Sequence, residues 1–278
     1  MKKAIILDVD GTLVDYDLKL SGSTLVAIDR ARKAGHEVYL CTGRSKAETF
    51  AALYGLPVDG YIGGKGAYIE VREVPIYHHP LTEAECASAL AWLHAHDLPY
   101  FLETNEGLFA NQRFLDVSPV IAARFVGGTA TQMAAGRKAF PALHPGDGRP
   151  RAGVNKISWV IQSPTQRAEV ASALPTLQHG WWGGRDHAEL CGEIGPAGIS
   201  KASGVGVLLA YLGLQRSDAV GFGDSAGEIP MLQACGTAVA MGNASADVKA
   251  MADFVTRDVD ADGLRLAFDH LGLLDPGI

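Results

Sequence analysis

The chain has 278 residues, 47% of them hydrophobic and 20% charged, which excludes a disordered tail and a disulfide miniprotein and leaves room for one large domain or two smaller ones. Its 24 Lys and Arg stand against 31 Asp and Glu, a formal net charge of −7, so no affinity for nucleic acid or for an anionic membrane is expected, and a small anionic ligand would need locally placed cations. Cys41, Cys86, Cys191 and Cys235 are scattered with no C-x-x-C pair, the pattern of reduced thiols in a cytoplasmic protein.

After Met1-Lys2-Lys3 the apolar run covers only Ala4 to Leu7 before Asp8, too short for a signal-peptide core or a membrane span. Short apolar runs ending in small or acidic residues read as buried parallel strands. Ala4–Leu7 is the first and Val38-Tyr39-Leu40, before Thr42-Gly43-Arg44, the second. Between them the spacing of Val26, Ala27, Ala31 and Ala34 predicts a helix from about Thr24 to Lys33, with Ser23 as N-cap and Gly35 closing it. Strand, helix, strand is the unit of a doubly wound α/β sheet.

From about residue 81 to 187 the character changes. Pro, Gly and Trp become frequent, charges balance, and extended candidates (Tyr100 to Glu103, Ile157 to Gln162) alternate with helices such as Glu83 to His96. This is expected to be an inserted α+β domain over 81–187, with junctions near His78-His79-Pro80 and Gly183-Gly184, between core segments 1–80 and 188–278. The alternation then resumes: a helix near Lys201 to Leu212, a strand at Ala219–Phe222, a short helix through Met231-Leu232, a strand at Ala238–Met241, a helix from Asp247 to Met251, a strand at Phe254-Val255 and a last helix, Leu264 to Leu271.

Ligands of open α/β sheets sit beyond the carboxyl ends of the strands, where Asp8, Asp10, Thr42, Gly43, Arg44 and Asp224 are all expected. An isolated D-x-D-G is more often an Asx turn, but here the pair follows a buried-type strand and has company. Crowded carboxylates call for a cation, and Mg²⁺, a hard ion satisfied by oxygen, is the economical one. A carboxylate beside it can attack phosphorus, while a second carboxyl serves as general acid and base. Thr42, the Gly43 amide and Lys201, at a helix start, could then cradle the phosphoryl oxygens.

Asp8-Val-Asp-Gly-Thr-Leu, Cys-Thr42-Gly-Arg-Ser, Ile-Ser-Lys201-Ala and Gly-Asp224-Ser-x-x-x-Ile-Pro-Met-Leu resemble, in order and spacing, the four motifs of the haloacid-dehalogenase-like phosphatases. The tail Ala238-Val-Ala-Met-Gly-Asn-Ala, Val248-Lys-Ala-Met-Ala-Asp-Phe-Val-Thr and Asp262-Gly-Leu is similar to the Cof-type branch. The resemblance implies a Rossmann-like core with a cap inserted between the Thr42 and Lys201 motifs, closing over the site and selecting the leaving group. It implies Asp8 as nucleophile and metal ligand, Asp10 as general acid and base with its backbone carbonyl on Mg²⁺, and Asp224 as a further metal carboxylate. Thr42, Gly43 and Lys201 would hold the phosphoryl group. Small phosphorylated metabolites are the implied substrates, with sugar phosphates ahead of nucleotides or cofactors such as pyridoxal phosphate, and the protein is expected as a monomer or homodimer.

Two departures stand out. Gly227-Glu228 replaces the Asn-Asp usual in the fourth motif, and Gly64-Lys65-Gly66-Ala67 stands where Asn-Gly-Ala is usual. Lys65 is expected to return a cation near the phosphoryl site, while Arg44, Gly227 and Glu228 are further supporting candidates. A phosphomutase and a weakly active phosphometabolite-binding or regulatory protein are the alternatives. Gly63-Gly64-Lys65-Gly66 lacks the Ser/Thr of a nucleotide-binding P-loop. His78, His79, His94, His96, His187 and the Trp181-Trp182 pair read as packing or surface residues.

Overall fold

The computed structural model describes residues 2–49, 53, 55–125, 140, 143–146, 149, 151–183 and 189–275. The chain divides into two compact units, one of residues 1–43, 52–77 and 200–278, the other of 44–51 and 78–199.

In the first unit β1 (Ala4–Leu7), α1 (Gly22–Lys33), β2 (Glu37–Cys41), β3 (Gly60–Gly63), β4 (Tyr68–Val71) and β5 (Val74–His78) lead into the second unit. After it come α5 (Lys201–Leu212), β12 (Ala219–Gly223), α6 (Ile229–Ala234), β13 (Thr237–Ala240), α7 (Ala246–Met251), β14 (Phe254–Val255) and α8 (Gly263–His270). The sheet order is β14-β13-β12-β1-β2-β3-β4-β5. It is parallel from β14 to β3 and turns antiparallel at β3/β4. Every residue of β1, β2 and β12 is buried, as continuous apolar runs covered on both faces require. One face packs Ile6, Tyr39 and Ile62 against Val205 and Leu208 of α5 and Leu232 of α6. The chain leaves β1 toward β2 on one side and returns to it through β12 on the other, so the switch point of the sheet lies at the end of β1.

Helix α1 starts earlier than its apolar spacing predicts. Ser21 is the N-cap, its Oγ accepting the Ser23 amide at 3.3 Å, and the Ser23 hydroxyl instead donates to Asp262 at 2.5 Å. The other predicted core elements are found within one or two residues of their expected ends.

The second unit holds α2 (Glu83–Ala95), β6 (Tyr100–Glu103), β7 (Leu108–Ala110), α3 (Gln112–Phe125), β8 (Leu143–Pro145), β9 (Lys156–Val160), α4 (Gln166–Ala173), β10 (Gln178–Gly183) and β11 (Glu189–Gly195). Its sheet runs β10-β11-β9-β6-β7-β8. Strand alternation sends Tyr100, Leu102, Ile157 and Trp159 toward Leu90 and Leu93 of α2 and Val170 of α4, and turns Phe101 toward Phe114 of α3. The expected junction at 187/188 differs from this division, because β11 pairs with β10 and β9 and carries the second sheet on to Gly195. Residues just past Gly43 also pack in this unit: Ser45 Oγ accepts from Asn155 Nδ2 at 3.0 Å, and Asn155 Oδ1 pairs with His78 Nε2 at 2.9 Å. All four cysteines are buried and unbridged. Among the described residues no helix is long and apolar enough to cross a membrane.

Candidate active site

Three elements of the first unit meet at its switch point. As β1 ends, the Val9 carbonyl accepts the amides of Leu13 and Val14, each at 3.0 Å, closing a tight turn that carries Asp8 and Asp10. Gly11 in that turn has φ +90°, and a Cβ there would stand 2.3 Å from Asp224 Oδ2. Only glycine lets this backbone pass so near a carboxylate. Asp224, fully buried after β12, accepts the Thr12 hydroxyl on Oδ1 at 3.0 Å and the Tyr16 hydroxyl on Oδ2 at 2.9 Å.

Lys201 is the first residue of α5, whose N-cap Ser200 accepts the Ser203 amide at 3.1 Å. The helix can begin here because Gly66 has no side chain: a Cβ on Gly66 would lie 2.2 Å from the Ser200 carbonyl oxygen. Lys201 Nζ donates to Asp8 Oδ1 at 2.5 Å and to Glu228 Oε1 at 3.2 Å. Glu228 in turn accepts the Asp224 and Ser225 amides on Oε2, at 2.8 and 3.0 Å, and the Ser225 hydroxyl on Oε1 at 2.8 Å.

Asp8, Asp224 and Glu228 each present a carboxylate oxygen, all within 4.8 Å of one another and all buried. Burial, with the charges of Glu228 and Asp10, pushes Asp8 up to about 8 even though Lys201 pulls it down. Asp224 is likewise held well above the usual carboxylate range by burial, Glu228 and Asp8. For Lys201, burial works against the charge, but Asp8 and Glu228 outweigh it and keep the ammonium. Three crowded carboxyl groups around a single ammonium resist losing all their protons, and a divalent cation of the Mg²⁺ kind, which would supply the missing positive charge, suits this set of hard oxygen donors.

The other expected residues are placed as follows. Asp10 is half-buried, its backbone bridged to Val14, and its carboxyl stands outside the three-carboxylate group. Thr42 is buried past β2. Its amide donates to the Ile62 carbonyl at 2.9 Å and its carbonyl accepts the Lys65 amide at 3.2 Å. Gly43 has open space where a side chain would stand. Lys65 holds φ 60° and ψ 26°, a left-handed conformation in which Gly or Asn is at ease and lysine is not. Gly227 is exposed. Arg44 belongs to the second unit, its guanidinium carbon 5.7 Å from the centre of the Phe125 ring.

Thr12, Tyr16 and Asn243 are neighbours the sequence reading gave no role. Thr12 lies inside the Asp-Gly-Thr segment and Asn243 inside Met-Gly-Asn-Ala, so both were within reach of the motifs, whereas nothing around Tyr16 signals its bond to Asp224. In the second unit His94 pairs with the Tyr100 hydroxyl at 2.8 Å, His96 with the Trp92 carbonyl at 2.8 Å, and Trp182 donates to Ser158 at 3.1 Å. His187 lies outside the described residues.

The family model of haloacid dehalogenase-like hydrolases matches residues 5–268, and the chain belongs to that family. Among solved structures it is similar to BT1666 from Bacteroides thetaiotaomicron, presented among phosphatases of the superfamily, at 29% identity over 99% of this chain and 96% of that one, with a TM-score of 0.81. A second, the subclass IIB sugar phosphatase BT4131, is 27% identical over 98% of this chain and 100% of its own, with a TM-score of 0.79. Phosphatase YwpJ of Bacillus subtilis is 26% identical over 97% of this chain and 99% of its own.

Proposed function

We propose that the protein is a Mg²⁺-dependent phosphatase that hydrolyses small phosphorylated metabolites, sugar phosphates foremost, through an aspartyl-phosphate on Asp8. The observation that carries this reading is the 2.5 Å bond from Lys201 to Asp8 at the switch point, with a second aspartate two residues on and Asp224 alongside. The sugar phosphatase among the similar structures supports the substrate class.

Lys201 offsets the charge of Asp8 on Oδ1, leaving Oδ2 to attack phosphorus. As the new O–P bond forms, the ester P–O bond breaks, and the Asp10 carboxyl gives its proton to the departing oxygen. Water then attacks the acyl phosphate, Asp10 takes its proton, and inorganic phosphate leaves as Asp8 is restored. The Thr42 hydroxyl, the Gly43 amide and Lys201 hold the phosphoryl oxygens, with Lys65 as an added cation and Arg44 supporting the loop. Asp8, Asp224 and the backbone carbonyl of Asp10 are the groups that would hold Mg²⁺; when bound, it neutralises the crowded carboxylates and the phosphoryl oxygens. The second unit is assigned the selection of the leaving group.

Phosphate release from a panel of sugar phosphates, nucleotides and an aryl phosphate, with Asp8→Asn and chelated controls, tests this. Mg²⁺-dependent release that Asp8→Asn abolishes is the expected result. An isomeric sugar phosphate in place of free phosphate would make the protein a mutase. Tight binding without turnover would make it a phosphometabolite-binding protein.

A further inference from the structure

Glu228 differs from the other two carboxylates of its group in how its oxygens are used. Oε2 accepts two backbone amides, from Asp224 and Ser225, and Oε1 accepts the Ser225 hydroxyl and the Lys201 ammonium. A carboxylate has about four lone-pair sites, and four donors from the chain itself fill them. Asp8, by contrast, bonds Lys201 through Oδ1. The donors on Asp224 are two hydroxyls, from Thr12 and Tyr16, which can rotate.

The reach of Glu228 has a local cause. It ends the turn Ala226–Glu228 and sits buried at the start of α6. From there its side chain folds back over the end of β12, where Gly223 leaves room: a Cβ on Gly223 would lie 2.8 Å from Glu228 Oε2. The amides it takes belong to Asp224 and its neighbour, and the cation it takes is the one that grips Asp8. One side chain therefore sets both the backbone that presents Asp224 and the position of the Lys201 head.

Resting on the phosphatase reading, we infer that Glu228 is the positioning residue of Lys201 and not a metal ligand, the protein carboxylates on the ion being those of Asp8 and Asp224. Lysine is a flexible point charge, so an anchor opposite Asp8 is what fixes its ammonium over the nucleophile instead of letting it swing into solvent. The glutamate found here in place of the usual aspartate is one methylene longer, the length with which it spans from its own turn to Lys201.

The test compares Glu228→Gln, Lys201→Met, the double variant and Asp224→Asn. Glu228→Gln keeps an oxygen for the two amides, and its thermal midpoint checks that the fold is kept. Removing a single charge alters any nearby cation site through space, so Mn²⁺ affinity is read on the double variant, in which the two deleted charges cancel. Its affinity is expected to stay within about threefold of wild type, whereas Asp224→Asn should lose at least about 10- to 100-fold. In turnover, Glu228→Gln should lower kcat by about 10- to 100-fold with a smaller change in KM, and add nothing further once Lys201 is methionine. Affinity for inorganic phosphate in the presence of Mg²⁺ should show the same lack of additivity. Loss of Mn²⁺ binding in the double variant as large as in Asp224→Asn overturns the inference, as do independent, additive effects of the two substitutions. A wild type without turnover on any substrate removes the phosphatase reading but leaves the Mn²⁺ and phosphate titrations to decide the role of Glu228.

Discussion

Asn243 ties the turn after β1 to the segment before α8: its side-chain nitrogen donates to the Gly11 carbonyl at 2.8 Å and its oxygen accepts the Val259 amide at 2.9 Å. Asn243→Ala leaves both backbone groups without that partner, a loss of about 1–3 kcal/mol for a buried polar group. Gly11 follows Asp10 directly, so the proposed general acid moves with the turn, and misplacement on the order of 1 Å costs about 10²-fold in rate. Urea unfolding and phosphate release of the same variant should therefore both fall. A variant with wild-type turnover would mean that the turn holds itself.

Gly227 is exposed, its φ is unremarkable for an L-residue, and a Cβ added there meets only Ser225 Oγ at 3.7 Å. Gly227→Asn, the residue usual at this motif position, should fold as the wild type does. If its amide reaches the phosphoryl group, kcat/KM should rise by about tenfold, the worth of one hydrogen bond to a charged group. Unchanged kinetics would show that the site has replaced that amide elsewhere.

Lys65 combines a strained backbone with a proposed charge, and two substitutions separate them. Lys65→Asn should stabilise the protein by about 1 kcal/mol, since Asn tolerates the left-handed region, while lowering phosphate affinity as the cation goes. Lys65→Ala should lose the affinity without the gain in stability. Thermal melts and phosphate titrations read the two quantities independently.

Glu103 carries a pH dependence within the second unit. It is fully buried on β6, its Oε1 accepting Ser158 Oγ at 2.5 Å and Lys156 Nζ at 2.9 Å, while Oε2 meets no hydrogen-bond donor. Burial and the nearby Glu48 carboxylate raise its pKa well above the ordinary 4.5, against the pull of Lys156. The folded state thus keeps a proton that the unfolded chain gives up above pH 4.5. In that window stability falls as pH rises, by up to about 1.4 kcal/mol per pH unit. Glu103→Gln imitates the protonated form, so its stability relative to wild type should grow from pH 5 to pH 8 in denaturant titrations. A difference that stays flat across that range would place an ionised carboxylate at this position.

The parts of the molecule legible in the sequence are those whose signal is local. β1, β12 and, after Glu37, β2 are short apolar runs with small or acidic residues behind them, and Asp8, Thr42 and Asp224 follow from where those runs stop. Lys201 is marked by the Ser200 cap before it. What escaped depends on distant chain segments meeting. The grip of Tyr16 and Thr12 on Asp224 spans more than two hundred residues, and no local pattern reports it. Lys156, Glu103 and Glu193 form a buried polar cluster on one sheet face, with Lys156 2.5 Å from Glu193, yet each looks like an ordinary charged residue in its own strand. The late end of the second unit was missed because β11 begins just past a Gly-rich stretch that reads as a linker.

The placement of β12 beside β1 sets a timetable for the newborn chain. Ala4 pairs with Ala219 and Leu7 with Phe222, so the ribosome must add more than two hundred residues after β1 before that strand gains its partner on that side. At ordinary translation speeds that wait lasts on the order of ten to forty seconds. Throughout it an apolar strand edge stands bare and Asp8 lacks both Lys201 and Asp224. A release of the chain before Gly223 would leave that apolar edge uncovered and Asp8 without its neighbour Asp224.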